Sequence, residues 1–424
     1  MKVLLISANK EQINIPPVPI GMASVATAVK NAGHDVEMVD LMDSDNAAFQ
    51  LTKMIKEFSP RIIGISVRNI DDQNTETSRF LLEEVKAVIN ECKRLSDAPI
   101  VLGGAGYSIF PKSSLAYLGA DMGIQGEGEV AFTSLIERIQ NGADLSGVPG
   151  LYIQGRGLQG KREFVKDLDT LPLPDPSLFT PYVPEGHELW LPFQTRRGCP
   201  MNCSYCSTAT IEGRHIRKHS PDFALDNIIQ WANAGIHDFF FVDNTFNIPL
   251  SYAKAICKGL IERELNISWR SILYPLKLDE GLVKDMAKAG CKTVSVGFES
   301  GCTRILKGMN KRFHLDDIRH TSKLLADYGI ERLGFLLLGG PGETRTSVEE
   351  SLVFADSLNL DSLKLTTGIR IYPDTSLSKI AMDEGIISPK DDLLFPRFYI
   401  IKEIEDWLKE TVDLWIEKRP NWIT

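Results

Sequence analysis

The run Arg197-Gly-Cys-Pro-Met-Asn-Cys-Ser-Tyr-Cys-Ser207 sets Cys199, Cys203 and Cys206 in a C-x-x-x-C-x-x-C spacing. Three thiolates this close can hold three irons of a cubane cluster and leave the fourth iron without a protein ligand, whereas cluster cysteines usually come in fours. An iron left open in this way can bind a small chelating substrate. Zinc with a distant fourth ligand is the alternative, and Cys92, Cys257, Cys291 and Cys302 could supply one. Each of those four lies in an apolar or helical run, where free cysteine ordinarily behaves as a small buried hydrophobe. A zinc knuckle also usually presents paired C-x-x-C units, and the sequence holds no second pair.

The cysteine run closes the first of six strand-plus-helix units. Strands are predicted at 191–197, 238–242, 268–273, 293–298, 332–338 and 362–371, with helices at 221–234, 250–263, 279–289, 315–328 and 347–358. Six such units predict a partial parallel (β/α)6 barrel over residues 191–385, whose chemistry gathers at the carboxyl ends of the strands. Polar groups stand at those ends: Asp243 and Asn244 after the second, Glu299 and Ser300 after the fourth, Gly339 and Gly340 after the fifth, Arg370 after the sixth. Each also has a plain structural reading, such as a helix cap at Thr344 or Thr346 or a pairing of Glu299 with Arg304.

Upstream, residues 1–150 alternate short Val- and Ile-rich runs at 2–7, 35–40, 62–67, 99–103 and 122–125 with helical patterns at 21–32, 45–58 and 75–95. This alternation predicts an α/β fold: a doubly wound, Rossmann-like parallel sheet with helices on both faces. Ligands of such sheets sit at the carboxyl ends of the strands, here Ser66-Val-Arg-Asn-Ile-Asp71, Gly103-Gly-Ala-Gly106 and Gly126-Glu-Gly-Glu129. Residues 151–190 read as a proline-rich linker, since scattered prolines sustain neither a helix nor a central strand. Residues 386–424 read as a helical extension. Its amphipathic stretch 402–417 carries Trp407, Leu408, Val412 and Trp415, suited to core packing or to a lid, with Phe398 or Tyr399 near a pocket.

Hydrophobic residues at 43% and charged residues at 24% of 424 are ordinary for a globular protein. The length suits two or three domains. Seven cysteines, three in one run, argue against a disulfide framework and for a reducing compartment. The chain starts directly as a strand with no signal-peptide pattern, and no apolar run approaches the roughly 20 residues of a membrane span. A formal net charge of −9 gives no basic footprint for nucleic acid. A cytoplasmic enzyme acting on something other than a polyanion is expected.

At the cysteine run the chain resembles the radical S-adenosylmethionine (radical SAM) superfamily. The resemblance implies a [4Fe-4S] cluster on Cys199, Cys203 and Cys206, with SAM on the open iron. It also implies Tyr205 against adenine, SAM contacts at Asp243, Asn244, Glu299, Ser300, Gly339 and Gly340, and a cofactor-binding role for Arg370, which with Tyr372 to Thr375 resembles the R-x-Y-P-x-T of cobalamin-type relatives. Pro16 to Gly21 (Pro-Pro-x-Pro-x-Gly), Ala32 to Asp35, Leu102 to Gly104 and Gly126 to Glu129 follow in an order similar to the cobalamin-binding domain that precedes the radical SAM domain in one large subclass. Cobalamin contacts are then implied at Ser66, Arg68, Asn69, Gly103, Gly104, Gly126 and Glu127. The D-x-H-x-x-G signature is absent, and His34 precedes a strand, so the lower face of cobalt should meet something other than imidazole. Arg68 or Asn69 would face it, and an arginine has no lone pair to donate. Alternatively Arg68 pairs with Asp71 or Asp72.

For that subclass the implied activity is C-methylation of an unactivated carbon of a small molecule or peptide, by way of methylcobalamin and a 5'-deoxyadenosyl radical. A cyclase or rearrangement enzyme without methyl transfer needs the same two cofactors. A non-catalytic Fe-S or cobalamin sensor is a third reading. A methylthiotransferase is disfavoured, because further cluster cysteines and a basic C-terminal module are not seen. A flavodoxin or ferredoxin is the electron donor implied.

Overall fold

The computed structural model describes residues 1–11, 18–42, 47–178, 181 and 188–424. Strands β1 (Lys2–Ser7), β2 (Asp35–Asp40), β3 (Ile62–Ser66), β4 (Ile100–Gly103) and β5 (Met122–Ile124) lie parallel in the order β2-β1-β3-β4-β5. Central β1 and β3 are buried on both faces while edge strand β2 is partly open, as a sheet covered by helices requires. Alternate side chains divide the packing. Val3 and Leu5 meet Met22, Ala26, Leu135 and Ile136 of helices Ile20–Asn31 and Gly128–Gln140. Leu4 and Ile6 meet Leu51, Ile55, Leu82 and Ile89 of helices Ala47–Phe58 and Leu82–Leu95. The winding reverses between β1 and β3, the point at which such sheets bind ligands.

Two boundaries differ from the sequence reading. Strands β6 (Leu151–Ile153) and β7 (Gly157–Leu158) extend the first sheet antiparallel beyond β5, so residues 151–158 belong with it and not with a linker. Leu151 anchors them, wholly buried with Ile124 and Val148. The helix expected from residue 75 begins at Leu82. Asp72 accepts from the amides of Asn74 and Arg79, and Asn74 from those of Glu76 and Thr77; such turns compete with helix. Pro16, Pro17, Asp45 and part of the expected linker (179–180, 182–187) lie outside the described residues.

The second unit contains β8 (Leu191–Phe193), β9 (Arg196–Arg197), β10 (Arg217–Lys218), β11 (Asp238–Phe241), β12 (Ser268–Leu273), β13 (Cys291–Glu299), β14 (Glu331–Leu338), β15 (Ser362–Thr367), β16 (Ile369–Arg370), β17 (Phe398–Tyr399) and β18 (Trp422–Ile423). Its main sheet is parallel, in the order β18-β15-β14-β13-β12-β11-β8. The sixfold series of strands is therefore present, with a seventh strand added from the C-terminal segment. The strand expected at 191–197 is broken, because Asp243 takes the amides of Thr195 and Arg196 and β9 turns away to pair with β10. The strand expected at 362–371 breaks at Gly368 (φ +76°), where a Cβ would stand 2.6 Å from Thr75 Cγ2.

The C-terminal helix Glu405–Ile416 seats Leu408 and Val412 in the core beside Leu336, Leu338 and Leu365, so packing is its role. The two units share one apolar cluster, in which Leu102, Tyr107 and Phe110 meet Ile369, Ile371, Leu377 and Tyr399. Among the described residues, no helix is long and apolar enough to cross a membrane.

Candidate functional site

The cysteine loop is clamped from several elements. Gly198 has φ +92°, and a Cβ there would meet the His215 carbonyl oxygen at 2.1 Å, so only glycine fits before Cys199. The Cys199 amide donates to Gly213 O at 3.1 Å. Glu212 accepts from the Gly198 amide (2.9 Å), Asn244 Nδ2 (2.7 Å) and Gln194 Nε2 (2.8 Å), tying the loop to the ends of β8 and β11. On the outer side, Asn310, Arg312 and Arg214 donate to Asn202 O, Pro200 O and Asn202 Oδ1.

Cys199, Cys203 and Cys206 line one cavity of about 210 Å³ together with Thr208, Asp374 and Ser376. Burial pushes the Cys199 thiol up to about 11 and raises that of Cys203 as well. A bound metal deprotonates a coordinating thiol outright. Among the described residues, no three His, Cys, Asp or Glu side chains converge on a single ion, whereas a cubane takes one thiolate per iron. Cys92, Cys257, Cys291 and Cys302 are buried, away from the cavity lining. The all-sulfur donor set around one cavity fits a cluster held by three cysteines.

Tyr205 stands beside Lys311, whose Nζ lies 5.4 Å from the ring centroid. Lys311 also pairs with Glu299 at 3.2 Å, and Glu299 has φ +63° at the irregular end of β13. After β14 comes Gly339 (φ +90°); Glu343 accepts from its amide and, at 3.1 Å, from that of Gly340. Glu343 is 2% exposed and its Oε1 has no partner among the described residues. Burial pushes its carboxyl up to about 7 against those two amides.

Three residues expected at the cofactors have protein partners. Asp243 is buried, bonded to Thr195 and Arg196, and paired with Arg196 Nε at 3.3 Å. Ser300 is buried, 2.9 Å from Ser351 Oγ, and accepts from the Cys302 amide. Arg370 is buried and donates to Asp71 (2.8 Å), Ile371 O and Leu393 O. These side chains hold the strand ends in place. Asn244 reaches the cysteine loop through Glu212.

At the β1/β3 switch point, Ser66, Arg68 and Asn69 line a cleft with Ala8 and Asn9, and Asn69 donates to Asn9 Oδ1 at 3.3 Å. Arg68 is exposed, yet desolvation lowers its pKa with Asp40 pulling the other way, as suits a side chain standing in a concave opening. Asp71 gives its carboxylate to Arg370, so the surface pairing with Arg68 does not form. The Asp40 Oδ1 atom is buried without a partner among the described residues. Gly103 has open space where a Cβ would point, while Gly104 is packed on the Val67 carbonyl, 2.6 Å from its absent Cβ. Open space beside Gly103, Arg68 with no ion pair among the described residues and the orphaned Asp40 oxygen fit a polar-edged macrocycle at the carboxyl ends of these strands.

Gly126 and Glu127 serve the seam between the units instead. The absent Cβ of Gly126 points at Arg162 Cδ, 3.1 Å away. Glu127 pairs with Arg217 at 2.5 Å and Arg197 at 3.3 Å, and accepts from the Val165 amide. Arg197 also pairs with Glu129 at 2.5 Å. Glu212, Lys311 and the Arg197 pairings carry no sequence signal, because nothing in the local pattern marks an acid or a cation whose partners lie far along the chain.

Residues 194–355 match the family model of the radical SAM superfamily, and residues 11–136 match that of the B12 binding domain. An uncharacterized methyltransferase of Pyrococcus horikoshii is 29% identical over 406 residues, covering 91% of this chain and 84% of the relative. Tryptophan 2-C-methyltransferase of Streptomyces laurentii is 24% identical over 437 residues, covering 88% and 73%. The radical S-adenosylmethionine methyltransferase TsrM of Kitasatospora setae, with tryptophan and a SAM analogue bound, superposes with a TM-score of 0.86 at 23% identity, over 98% of this chain and 88% of that one. That likeness is one of fold.

Proposed function

We propose that this chain, a cobalamin-dependent radical SAM enzyme in which a B12-binding domain precedes a radical SAM domain, is a C-methyltransferase for an unactivated carbon of a small molecule or peptide. The carrying observation is the Arg197–Glu129 and Arg197–Glu127 pairing, which ties the segment entering the cysteine loop to the loop at the carboxyl end of the first sheet. Relatives named as methyltransferases and matching most of the chain support the same reading. When bound, the cofactors supply one-electron cleavage of SAM at the cluster and carriage of a methyl group on cobalt.

The chain's own residues position and shield. Cys199, Cys203 and Cys206 would hold three irons, with Gly198 and Glu212 fixing the loop that presents them. Glu343 holds the Gly339–Gly340 turn at the end of β14. Arg68, having no lone pair to offer a metal, would border the corrin at the β1/β3 crevice without ligating it. Ser66 and Asn69 border the same crevice, and Gly103, at the end of the neighbouring β4, leaves open space where a Cβ would point. Free cysteines throughout the described chain suit a reducing, cytoplasmic setting, where a flavodoxin or ferredoxin would deliver electrons.

The test uses methyl-labelled SAM and candidate substrates under anaerobic reduction. Methyl transfer predicts label in the product, with S-adenosylhomocysteine and 5'-deoxyadenosine formed about equally. Product without label, accompanied by 5'-deoxyadenosine alone, would replace this reading with the ring-forming one.

A further inference from the structure

Lys311 is a buried cation that the positioning roles above leave unused. Its side chain is 5% exposed, and lysine is almost never buried unless paired. Its ammonium lies 3.2 Å from Glu299, with the rings of Tyr205 and Phe313 at 5.4 and 5.8 Å from it. Tyr205 sits between two of the three cysteines in sequence, so the charge is held against their loop. Burial works against this charge, but Glu299, Tyr205 and Cys203 hold its pKa well above the usual lysine value. The residues on either side of Lys311 are bonded to the cysteine loop, Asn310 donating to Asn202 O at 2.6 Å and Arg312 to Pro200 O at 3.1 Å. Glu299 itself holds a left-handed backbone that a non-glycine residue keeps only when its surroundings compel it, and the Lys311 pairing supplies one such constraint.

We propose that Lys311 is the resident counter-charge of the cysteine-held cluster, raising its reduction potential, and that Glu299 is the opposing charge that limits the effect. This rests on the assignment of the three cysteines to a cluster. Reduction adds one electron, given up by a low-potential one-electron carrier, with no bond made or broken. The added negative charge appears beside a buried cation, where low dielectric magnifies the attraction, and net charge near the sulfurs is among the quantities that set cluster potentials. Lys311 is thus a positioning charge that touches neither substrate nor the transferred group.

The experiment is a potentiometric titration of the reconstituted full-length protein, followed by the electron paramagnetic resonance signal of the reduced cluster. It compares wild type with Lys311→Met, Lys311→Arg and Glu299→Gln, with iron content and circular dichroism recorded for each. Lys311→Met should move the midpoint to more negative potential, about tenfold in reduced fraction at a fixed poise, or about 59 mV for one electron. Glu299→Gln should move it the opposite way, and Lys311→Arg should stay near wild type. A merely structural pair would not give shifts of opposite sign. Full iron occupancy with midpoints unmoved, or moved in one direction by both neutralising variants, overturns the proposal. Should Lys311→Met fail to fold, the Glu299→Gln shift still decides. A wild-type chain that takes up no iron defeats the cluster assignment first; loss of methyl transfer with the opposite shifts intact defeats only the methyltransferase reading.

Discussion

Arg197, two residues before Cys199, donates to the Glu129 carboxylate at 2.5 Å across the seam between the two α/β units. Both side chains are largely buried, 15% and 5% exposed. Removing one partner from such a pair leaves an uncompensated buried charge. Arg197→Met should therefore cost about 3 kcal/mol or more in chemical unfolding, with reduced iron uptake because the strand entering the cysteine loop loses its anchor. Adding Glu129→Gln should recover part of the loss. A double-mutant cycle with no coupling would show that the seam does not hold the loop.

Glu343 predicts a pH dependence. Burial raises its folded-state pKa to about 7, so between about 4.5 and 7 the native state binds more protons than the unfolded chain. Stability from this group is greatest below the unfolded pKa and falls as pH rises through that window, by about 3 kcal/mol in all. Unfolding at pH 5 and pH 8 should show a smaller loss in Glu343→Gln than in wild type. Equal losses would place the group's titration elsewhere.

Gly198→Ala should be poorly tolerated. The backbone is left-handed and the new Cβ would overlap a carbonyl oxygen, costing at least about 2 kcal/mol. The expected readout is lower iron per chain after reconstitution, with the parallel-sheet circular dichroism retained. Wild-type iron content would mean that the loop tolerates a different path.

Arg68→His would place a lone-pair donor at the β1/β3 crevice. Titrated with cobalamin, the variant should show nitrogen splitting in the cob(II)alamin resonance that wild type lacks. Identical spectra would mean that residue 68 does not face cobalt.

The close spacing of Cys199, Cys203 and Cys206 and the parallel strands of both sheets are legible in the sequence, because thiol spacing and Val- and Ile-rich runs are local signals. The strand ends are not, and Asp243 shows why. It continues the parity of Phe239 and Phe241, whose rings face the helices with Trp231 and Tyr252, so strand alternation already turns it away from the barrel mouth. Ser300 likewise follows Val296 and Phe298 and reaches Ser351 of a covering helix. Glu212 and Lys311 carry no such marker, since their partners Asn244 and Glu299 meet them only once the strands are aligned. The hairpin at 151–158 hides in a polar, glycine-rich stretch whose single strong anchor is Leu151.

The most direct measurement is the cofactor content of the anaerobically purified and reconstituted chain, iron and corrin per protein, for wild type and Cys203→Ala. Wild type should hold about four irons and one corrin, and Cys203→Ala should lose the iron while keeping the corrin band. Zinc in place of iron, or a wild-type chain that passes through a desalting column without retaining cobalamin, would contradict a two-cofactor enzyme.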